Sequence, residues 1–556
     1  MNDLGYPVWI SATHYLNLLF MVFLARSGIQ ILASFPRLYL KDDCAPGHEI
    51  LKFTTSQVPT DRIYQSLDEE VNVSPLLALP GGKGVTGALG VGRHWHFLIL
   101  MAWISTGVVY IVLLLATDQW RRLVPTSWSF FPGVIQSADI YLHFHLPPPT
   151  PGYPYNPLQQ LTYFLVVFFL APFQIATGAA MSPAIIGRFP WYPRLFGNRQ
   201  TARTLHFLGL LAFFAFVVVH TFMVVVHGIP EEWAKIVLSS DQANPTLAVI
   251  IGSFGLLVVI ALNVIVTMVG RRDPRRAQIF LGRVVDPVQR ALSHHLLSRQ
   301  HYKTTDISHY FWVNGYPPPD PVYKQFAAGA FLDWKLQVTG RIERPLEFSL
   351  DDIRKMPRTT QITKHNCIQG WTGVAQWTGV PLRDFIERCR PLPSAGYIVF
   401  YAYDDKALTQ PGYEGFFYET LDLKLAAAPQ TILAYELNGM PLPIEHGAPL
   451  RLRVENQLGI KMVKWIRTIA FEDDYRNVGL GYGGGREDTA HPKRVVGTLS
   501  ARGVRGNGTN SARGGTRPHG PLGQPPASRA YSERPGAAAG GRKSQVAESR
   551  AAPRSG

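Results

Sequence analysis

Five long apolar runs in the first half of the chain limit its possible folds more than any other feature. A helix needs about 20 predominantly apolar residues to cross the hydrocarbon core of a bilayer. Each run reaches that length, so residues 1–272 are predicted to form a membrane-embedded all-α helical bundle. The runs are 14–33, 96–116, 158–178, 205–227 and 247–269. A weaker stretch, 128–146, is typical of a helix in the membrane interface.

Positive charge predicts the orientation of this bundle. Arginines are dense after the last apolar run, at Arg271, Arg272, Arg275 and Arg276, and in the loop before the fourth run. Because cytoplasmic loops carry the excess of Lys and Arg, the N-terminus is predicted outside and everything after residue 270 in the cytoplasm, with the bundle in the inner membrane. A basic membrane-facing rim and a basic tail explain the net charge of +15, which gives no indication of nucleic-acid binding.

The rest of the chain divides into three parts by composition. Residues 273–305 are polar and basic and are predicted to be a linker. Residues 306–475 contain short β-type runs, such as GYIVFYAYD and TILAYELNG, separated by Gly and Pro, which predicts an α+β domain. Residues 476–556 are rich in Gly, Arg, Ser, Ala and Pro, and they are predicted to be disordered because they hold too few large apolar residues for a core.

Four histidines lie at matched depths in the predicted bundle. His206 and His220 share one helix, about 40° apart in azimuth and about 21 Å apart along the axis. His14 begins the first run and His96 the second, so His14 is expected level with His220, and His96 level with His206. Two such imidazole pairs suit two bis-histidine b haems. Histidines that merely sit at helix ends in the interface are the alternative for each one taken singly.

This part of the chain resembles the di-haem cytochrome b subunits of bacterial formate dehydrogenase and hydrogenase. The resemblance covers about residues 1–230 and rests on THYLN, GRHWHFL and LHFLGLLAFFAFVVVHTF. It implies that His14, His96, His206 and His220 are the haem iron ligands. His94 stays open as an alternative to His96, because it lies two residues away on another face of the same helix.

A cysteine marks the centre of the α+β part. Cys367 ends the β-type run TTQITKHNC and is followed by Gly370 and Gly373. A thiolate at a strand end, beside glycines that let a bulky cofactor approach, is a plausible soft metal ligand. A buried structural cysteine is the alternative. The chain has only three cysteines, which excludes a disulfide framework and a zinc site built from cysteines.

The stretch KHNCIQGWTGVAQWTGVPL resembles the core motif of sulfite-oxidase-type molybdopterin domains, above all that of methionine-sulfoxide reductase catalytic subunits. The resemblance covers about residues 306–475 and implies that Cys367 is the protein ligand of molybdenum in a Mo-molybdopterin cofactor. The segments IEHGAPLRL and GIKMVKWI resemble the pterin-binding patterns of the family, which implies roles for His446, Arg451 and Lys464 in cofactor binding. His309 stands where the family makes its first pterin contacts.

Together the two resemblances predict a membrane-bound molybdenum oxidoreductase. Electrons are expected to pass from membrane quinol through two b haems to the Cys367 centre, which would reduce a sulfoxide-like substrate such as methionine sulfoxide. Two alternatives stay open: oxidation of sulfite with electrons passed to quinone, and a non-enzymatic membrane electron carrier whose second domain docks a partner. Cys367 together with Arg451 and Lys464 distinguishes the enzyme, because a docking domain needs none of them.

Overall fold

The first part of the fold is a helical bundle. The computed structural model describes residues 4–77, 88–240, 243–272, 274–293, 299–405, 415–455, 457–479 and 483–484. In chain order the helices of this part are α1 (Val8–Leu32), α2 (Ser66–Val71), α3 (Ala88–Ala116), α4 (Phe130–Leu142), α5 (Pro157–Leu165), α6 (Ala171–Ala180), α7 (Pro183–Arg188), α8 (Arg199–His227), α9 (Ile229–Leu238), α10 (Pro245–Arg272) and α11 (Pro274–Ser293).

Within the described residues of this part, five helical spans are long and apolar enough to cross a membrane. They are Val8–Leu32, Leu89–Ala116, Pro157–Met181, Arg199–His227 and Pro245–Gly270. The predicted five-span bundle is therefore confirmed, with each span a few residues longer than its apolar run. The weaker stretch at 128–146 contains α4.

The third span is built from α5 and α6, joined by a wider π-helical turn at Val166–Leu170. Pro172 at the start of α6 has no backbone N–H and cannot donate to the preceding turn. A π turn at this point lets the helix continue past the missing hydrogen bond. Span length is thereby kept, and Thr177 and Gly178 stay on the side that faces α8.

Helix α8 starts at a sharply defined residue. The side chain of Asn198 accepts hydrogen bonds from the backbone N–H groups of Gln200 and Thr201, at 2.9 and 3.0 Å, which satisfies two of the four unpaired donors of the first turn. The helix ends before Gly228, whose φ of 102° is a conformation that glycine adopts readily. These two ends fix the depths of His206 and His220, which both lie on α8.

The region predicted to be a linker contains a helix. Helix α11 follows α10 after one residue, and it buries Leu281 and Val285, one turn apart. The polar and basic composition of residues 273–305 hid this i, i+4 apolar spacing, which is the signature of a helix with one packed face. The linker is therefore helical over most of its length.

The second part of the fold is an α+β domain, as predicted. Its strands and helices, with the hairpin β1–β2 of the first part, are β1 (Arg37–Leu38), β2 (Leu51–Lys52), α12 (Pro321–Ala328), β3 (Lys335–Gly340), β4 (Leu346–Ser349), α13 (Leu350–Arg354), β5 (Thr359–Asn366), β6 (Thr372–Pro381), α14 (Leu382–Cys389), β7 (Tyr397–Asp405), β8 (Phe416–Asp422), α15 (Leu423–Ala426), β9 (Thr431–Leu437), β10 (Met440–Pro441), β11 (Arg451–Val454) and β12 (Ile466–Glu472).

Two five-stranded sheets organise this domain. One has the order β10-β9-β6-β5 with β11 also paired to β9, and the other has the order β4-β3-β12-β7-β8. All pairs are antiparallel except β3 with β12. Trp334, Trp377 and Phe400 are fully buried in the core between them. Residues 485–556, most of the tail predicted to be disordered, lie outside the described residues.

The segment between the first two spans joins the bundle to the α+β domain. Its Phe35, Tyr39 and Tyr64 are buried in one aromatic cluster with residues of the second domain. The cluster is completed by Cys44, Trp312, Cys367 and Trp371. Burial of these large rings away from water stabilises the contact. The predicted catalytic cysteine thus lies at the boundary between the two parts.

Candidate functional site

The loop between β5 and β6 presents Cys367. The Cys367 N–H donates to the Trp371 carbonyl at 3.0 Å, and the Gly370 N–H donates to the Cys367 carbonyl at 3.1 Å. Gly370 has a φ of 125°, which a residue with a side chain rarely adopts, so the turn requires glycine. The thiol is buried, and Asn314 Nδ2 lies 3.5 Å from Cys367 Sγ. A rigid loop therefore holds one thiol in a fixed position.

A cationic pocket lies close to this loop. Arg451, on β11, is buried; its Nη1 donates to the His446 carbonyl at 2.7 Å, and its Nε has no hydrogen-bond partner among the described residues. Burial, and then the neighbouring Arg453, hold the pKa of Arg451 well below its ordinary value. Lys464 Nζ donates to the Glu445 carbonyl at 2.9 Å and lies 3.9 Å above the ring of Trp465.

Two histidines of the pocket are held neutral. Burial, then Lys464 and Arg451, lower the pKa of His446 to about 3. Burial, then Arg453 and Arg451, lower the pKa of His365 well below its ordinary value. Arg453 Nη1 lies 2.9 Å from His365 Nδ1, which accepts its hydrogen bond. The imidazoles thus add hydrogen-bonding groups without adding charge.

The pocket fits an anionic group. Glu455 Oε1 and Oε2 lie 2.9 and 3.0 Å from Arg453, so the charge of that guanidinium is compensated. A buried Arg451 with an unused Nε donor is costly unless an anion accepts from it. A phosphate dianion carries the required charge and several acceptor oxygens, and Arg binds it with two parallel hydrogen bonds. The donor set therefore suits the phosphate end of molybdopterin.

Aromatic rings connect this pocket to the thiol. The ring of Phe311 lies 5.7 Å from the rings of Trp371 and Trp377, and 5.6 Å from those of His365 and His446. Flat rings of this kind suit contacts with a flat heterocycle. The rings thus form an apolar wall that reaches from the Cys367 loop to the cations.

His309 is not part of this pocket. Its side chain is 94% exposed, and its Nδ1 lies 3.1 Å from Asp43 Oδ2 on the surface. The prediction of a pterin contact at this position is not supported by the structure. Phe311 and Asn314, two and five residues later, reach the pocket and the thiol instead.

The four predicted haem ligands form two facing pairs in the bundle. The ring centroids of His14 and His220 are 6.3 Å apart, and those of His96 and His206 are 6.4 Å apart. Two imidazoles that bind one metal ion from opposite sides, each at about 2 Å, have centroids about 6 Å apart. Each pair therefore fits the coordination of one haem iron. The two pairs lie near opposite ends of α8.

A hydroxyl group lies beside Nδ1 of both His96 and His206. Ser27 Oγ donates to the Phe23 carbonyl at 2.8 Å and lies 3.0 Å from His96 Nδ1. Thr177 Oγ1 likewise donates to the Phe173 carbonyl at 2.8 Å and lies 3.0 Å from His206 Nδ1. With its hydrogen directed to a carbonyl, each hydroxyl oxygen can accept a hydrogen bond from an Nδ1–H. In that tautomer Nε2 would be the nitrogen that binds a metal, because hydrogen bonding of the other ring nitrogen orients a metal-binding imidazole.

Glycines follow both hydroxyl residues. A Cβ on Gly28 would lie 3.7 Å from His96 Cε1, and a Cβ on Gly178 would lie 3.4 Å from His206 Cε1. The pairs Ser27-Gly28 and Thr177-Gly178 thus form equivalent small-residue surfaces, one against each imidazole. Small residues of this kind leave room for a macrocycle between the helices.

The structure distinguishes between His96 and His94 as the histidine that faces His206. His94 Nε2 lies 3.0 Å from Asp286 Oδ1 of α11, and its Nδ1 lies 2.8 Å from the Gly90 carbonyl. Both nitrogens of His94 thus contact oxygen atoms, and only His96 of the two faces His206.

Comparison with known proteins agrees with both parts of the fold. Residues 5–237 match the family described as prokaryotic cytochrome b561, and residues 324–478 match the oxidoreductase molybdopterin binding domain. The chain joins a cytochrome b561 domain to a molybdopterin-binding oxidoreductase domain. The predicted fusion of these two kinds of domain is therefore confirmed.

Three relatives show how far the similarity extends. The chain is similar to a putative protein-methionine-sulfoxide reductase subunit YedZ1 from Azospira oryzae, with 29% identity over 174 residues, 31% of this chain and 61% of that protein. It is similar to the protein-methionine-sulfoxide reductase catalytic subunit MsrP of Ralstonia nicotianae, with 35% identity over 25% of this chain and 44% of that protein. The MsrP of Xanthomonas campestris pv. campestris is 34% identical over 34% of this chain and 60% of its own length. The chain thus spans between 44% and 61% of these relatives.

Sequence reasoning missed part of the molybdopterin-binding domain's pocket. His365 and Arg453 were available as signals, since each lies two residues from a predicted site residue, and alternate residues of a strand share a face. Phe311 and Asn314 come from a stretch without regular structure, and only the folded chain brings them to the pocket.

Proposed function

We propose that this protein is a membrane-bound molybdenum oxidoreductase that passes electrons from membrane quinol to a sulfoxide. The observation that carries the proposal is the buried Cys367 thiol beside the Arg451 pocket, in one chain with two facing histidine pairs. The overall reaction balances: quinol loses two electrons and two protons, and the sulfoxide takes them up to give a thioether and water.

Different residues of the chain would bind different parts of the cofactor. Cys367 would bind molybdenum through its thiolate, and Arg451 and Lys464 would bind the phosphate of the pterin. His446 and His365 would hydrogen-bond to the cofactor as neutral imidazoles. When bound, molybdopterin supplies oxygen-atom transfer and haem supplies one-electron transfer. The protein holds these groups in place and excludes water from them.

Two haems are part of the proposal. Helix α8 contributes one histidine to each pair, His220 facing His14 and His206 facing His96, and these two residues are 14 apart, which is about 21 Å along the helix axis. Two haems at this spacing would carry electrons across most of the hydrocarbon core, which is about 30 Å thick. The His96–His206 pair is at the end of α8 that faces the molybdopterin-binding domain, so it would be the electron donor to that domain.

The direct test follows the haem absorbance of purified, detergent-solubilised protein. The protein is reduced anaerobically with a quinol analogue, and methionine sulfoxide is then added. We expect rapid haem reoxidation with release of the thioether, and no reoxidation on addition of the thioether itself. Absence of reoxidation by every sulfoxide, together with haem reduction by sulfite, would instead establish the reverse electron flow.

A cytoplasmic position of the molybdopterin-binding domain is also proposed. The domain contacts the end of α8 at which Arg199 and Arg203 lie, the same side as the arginines that follow α10. An excess of arginine marks the cytoplasmic side. Reporter fusions after residue 240 and after residue 479 should therefore report opposite sides, the first outside and the second cytoplasmic. A periplasmic signal from the second fusion would contradict this orientation.

A further inference from the structure

The first turn of α8 is bonded to the Cys367 loop. Arg199 Nη1 and Gln200 Nε2 both donate to the Gly370 carbonyl, each at 2.9 Å. Gln200 Nε2 also donates to Thr372 Oγ1 at 3.0 Å, so both amide hydrogens of Gln200 are used. Gln200 is completely buried and Arg199 is buried as well. Hydrogen bonds in such a dry environment hold groups in fixed positions.

Arg203 lies one turn further along α8 and contacts the same loop. Its guanidinium carbon lies 3.2 Å from the point at which Gly370 would carry a Cβ. Its Nη1 and Nη2 donate to the Arg37 and Phe35 carbonyls, each at 2.6 Å. Because Gly370 has no side chain, the guanidinium packs directly against the backbone of the Cys367 loop.

These contacts connect the two predicted redox sites by a short route. His206 follows Gln200 by six residues, which is about 9 Å along the helix. On the side of the molybdopterin-binding domain, the Gly370 N–H donates to the Cys367 carbonyl. One helical segment and two hydrogen bonds thus lead from the His206 imidazole to the backbone of Cys367. His220 lies further along α8 and therefore further from the Cys367 loop than His206.

We propose that Arg199, Gln200 and Arg203 form the junction at which electrons pass from the His96–His206 pair to the Cys367 loop. They act as positioning residues, because they fix the distance between the two sites without binding either cofactor. The inference rests on the proposed function and names its electron route. Two single electrons cross the junction for each sulfoxide reduced, with quinol as reductant and the sulfoxide as oxidant.

A test separates this role from simple attachment of the two domains. Gln200→Met keeps the length and helix propensity of the side chain and removes its hydrogen bonds to Gly370 in the loop and to Thr372 directly after it. Thr201→Val is the matched control: Thr201 Oγ1 donates to the Leu40 carbonyl at 2.7 Å, so the variant removes a bond at the same helix end but none to the Cys367 loop. Arg203→Lys is a second variant. It keeps the positive charge and loses the planar guanidinium that donates to the Arg37 and Phe35 carbonyls.

The readout is the haem absorbance after quinol-reduced protein is mixed with methionine sulfoxide. In Gln200→Met we expect reoxidation to slow by about tenfold or more, since a misplacement of about 1 Å between reacting groups can cost about 100-fold in rate. The haem should remain mostly reduced during turnover. Sulfoxide reduction with a viologen dye as donor should change less than about twofold, as should both rates in Thr201→Val.

Three results would overturn the junction: unchanged haem reoxidation in both Gln200→Met and Arg203→Lys, an equal loss of dye-driven activity, or an equal slowing in Thr201→Val. Failure of the proposed function looks different. In that case no sulfoxide reoxidises the haem of the unaltered protein, and the same variants are compared with sulfite as donor and haem reduction as readout. If neither compound moves electrons through the haem of the unaltered protein, the junction is refuted as well.

Discussion

Replacing Cys367 by serine should abolish the proposed sulfoxide reduction and leave the haem content unchanged. A serine oxygen is a hard donor that stays protonated near neutral pH, and it cannot replace a thiolate as a soft ligand. Loss of a partner outside the metal shell costs about 10–100-fold in affinity or activity, so loss of the ligand itself should cost at least about 100-fold. The substitution does not alter Arg451 or Lys464, the proposed phosphate ligands, so we expect the pterin to remain bound. Quinol should still reduce the haems, and the sulfoxide should no longer reoxidise them.

Cys44→Ser is the matched control for this variant. Cys44 is buried in the same aromatic cluster as Cys367, and its Sγ lies 3.5 Å from Thr372 Oγ1. Both substitutions place a hydroxyl in the same environment and should cost about 1–3 kcal/mol of stability where that hydroxyl lacks a partner. The control should keep its molybdenum and most of its activity. Equal activity losses in the two variants would show that Cys367 acts through packing and is not the metal ligand.

The membrane part was largely predictable because its forces are local. Hydropathy alone gives the five spans, since a bilayer requires a run of about 20 apolar residues. The constant rise and turn of a helix then give the relative depths of His14, His96, His206 and His220 before any contact is known. The choice between His94 and His96 was beyond that reasoning, because Asp286 lies 192 residues from His94 in the chain.

The α+β part was harder to predict, and β6 shows why. This strand carries Gly373 and Gly379, which are typical of loops. The structure requires glycine at both: a Cβ on Gly379 would collide with the Leu433 carbonyl, and one on Gly373 would lie 2.9 Å from Phe311. Both glycines are needed because other segments approach the β6 backbone closely in the folded chain. In the sequence alone, the same glycines indicate a turn.

The segment between the first two spans was missed for a related reason. A polar stretch between two apolar runs is typical of a loop in the sequence. Its Phe35, Tyr39 and Tyr64 are scattered aromatic residues whose partners lie about 300 residues later, at Trp312 and Trp371. Contacts at such separation leave no periodic pattern in either segment. The same limit applies to Arg199 and Gln200, which meet Gly370 only in the folded chain.

Replacing the four proposed haem ligands one at a time should remove one of the two proposed haems and leave the other. His206→Leu should lower the iron content from about two to about one per chain, because a bis-histidine site that loses one ligand loses most of its affinity. Quinol should still reduce the haem that His14 and His220 retain, if quinol reacts at that end of the bundle. Electrons should stop there, so sulfoxide should no longer reoxidise the haem. His220→Leu should instead retain the haem next to the molybdopterin-binding domain.

His94→Leu is the control that makes this experiment decisive. It removes an imidazole from the same helix as His96, two residues away, and its contact is with Asp286 on α11. Iron content and the haem spectrum should therefore match those of the unaltered protein, while His96→Leu should behave like His206→Leu. Iron near one per chain before any substitution would contradict the two-haem proposal. Loss of haem in His94→Leu with retention in His96→Leu would reverse the ligand assignment, and the facing rings of His96 and His206 would then need another explanation.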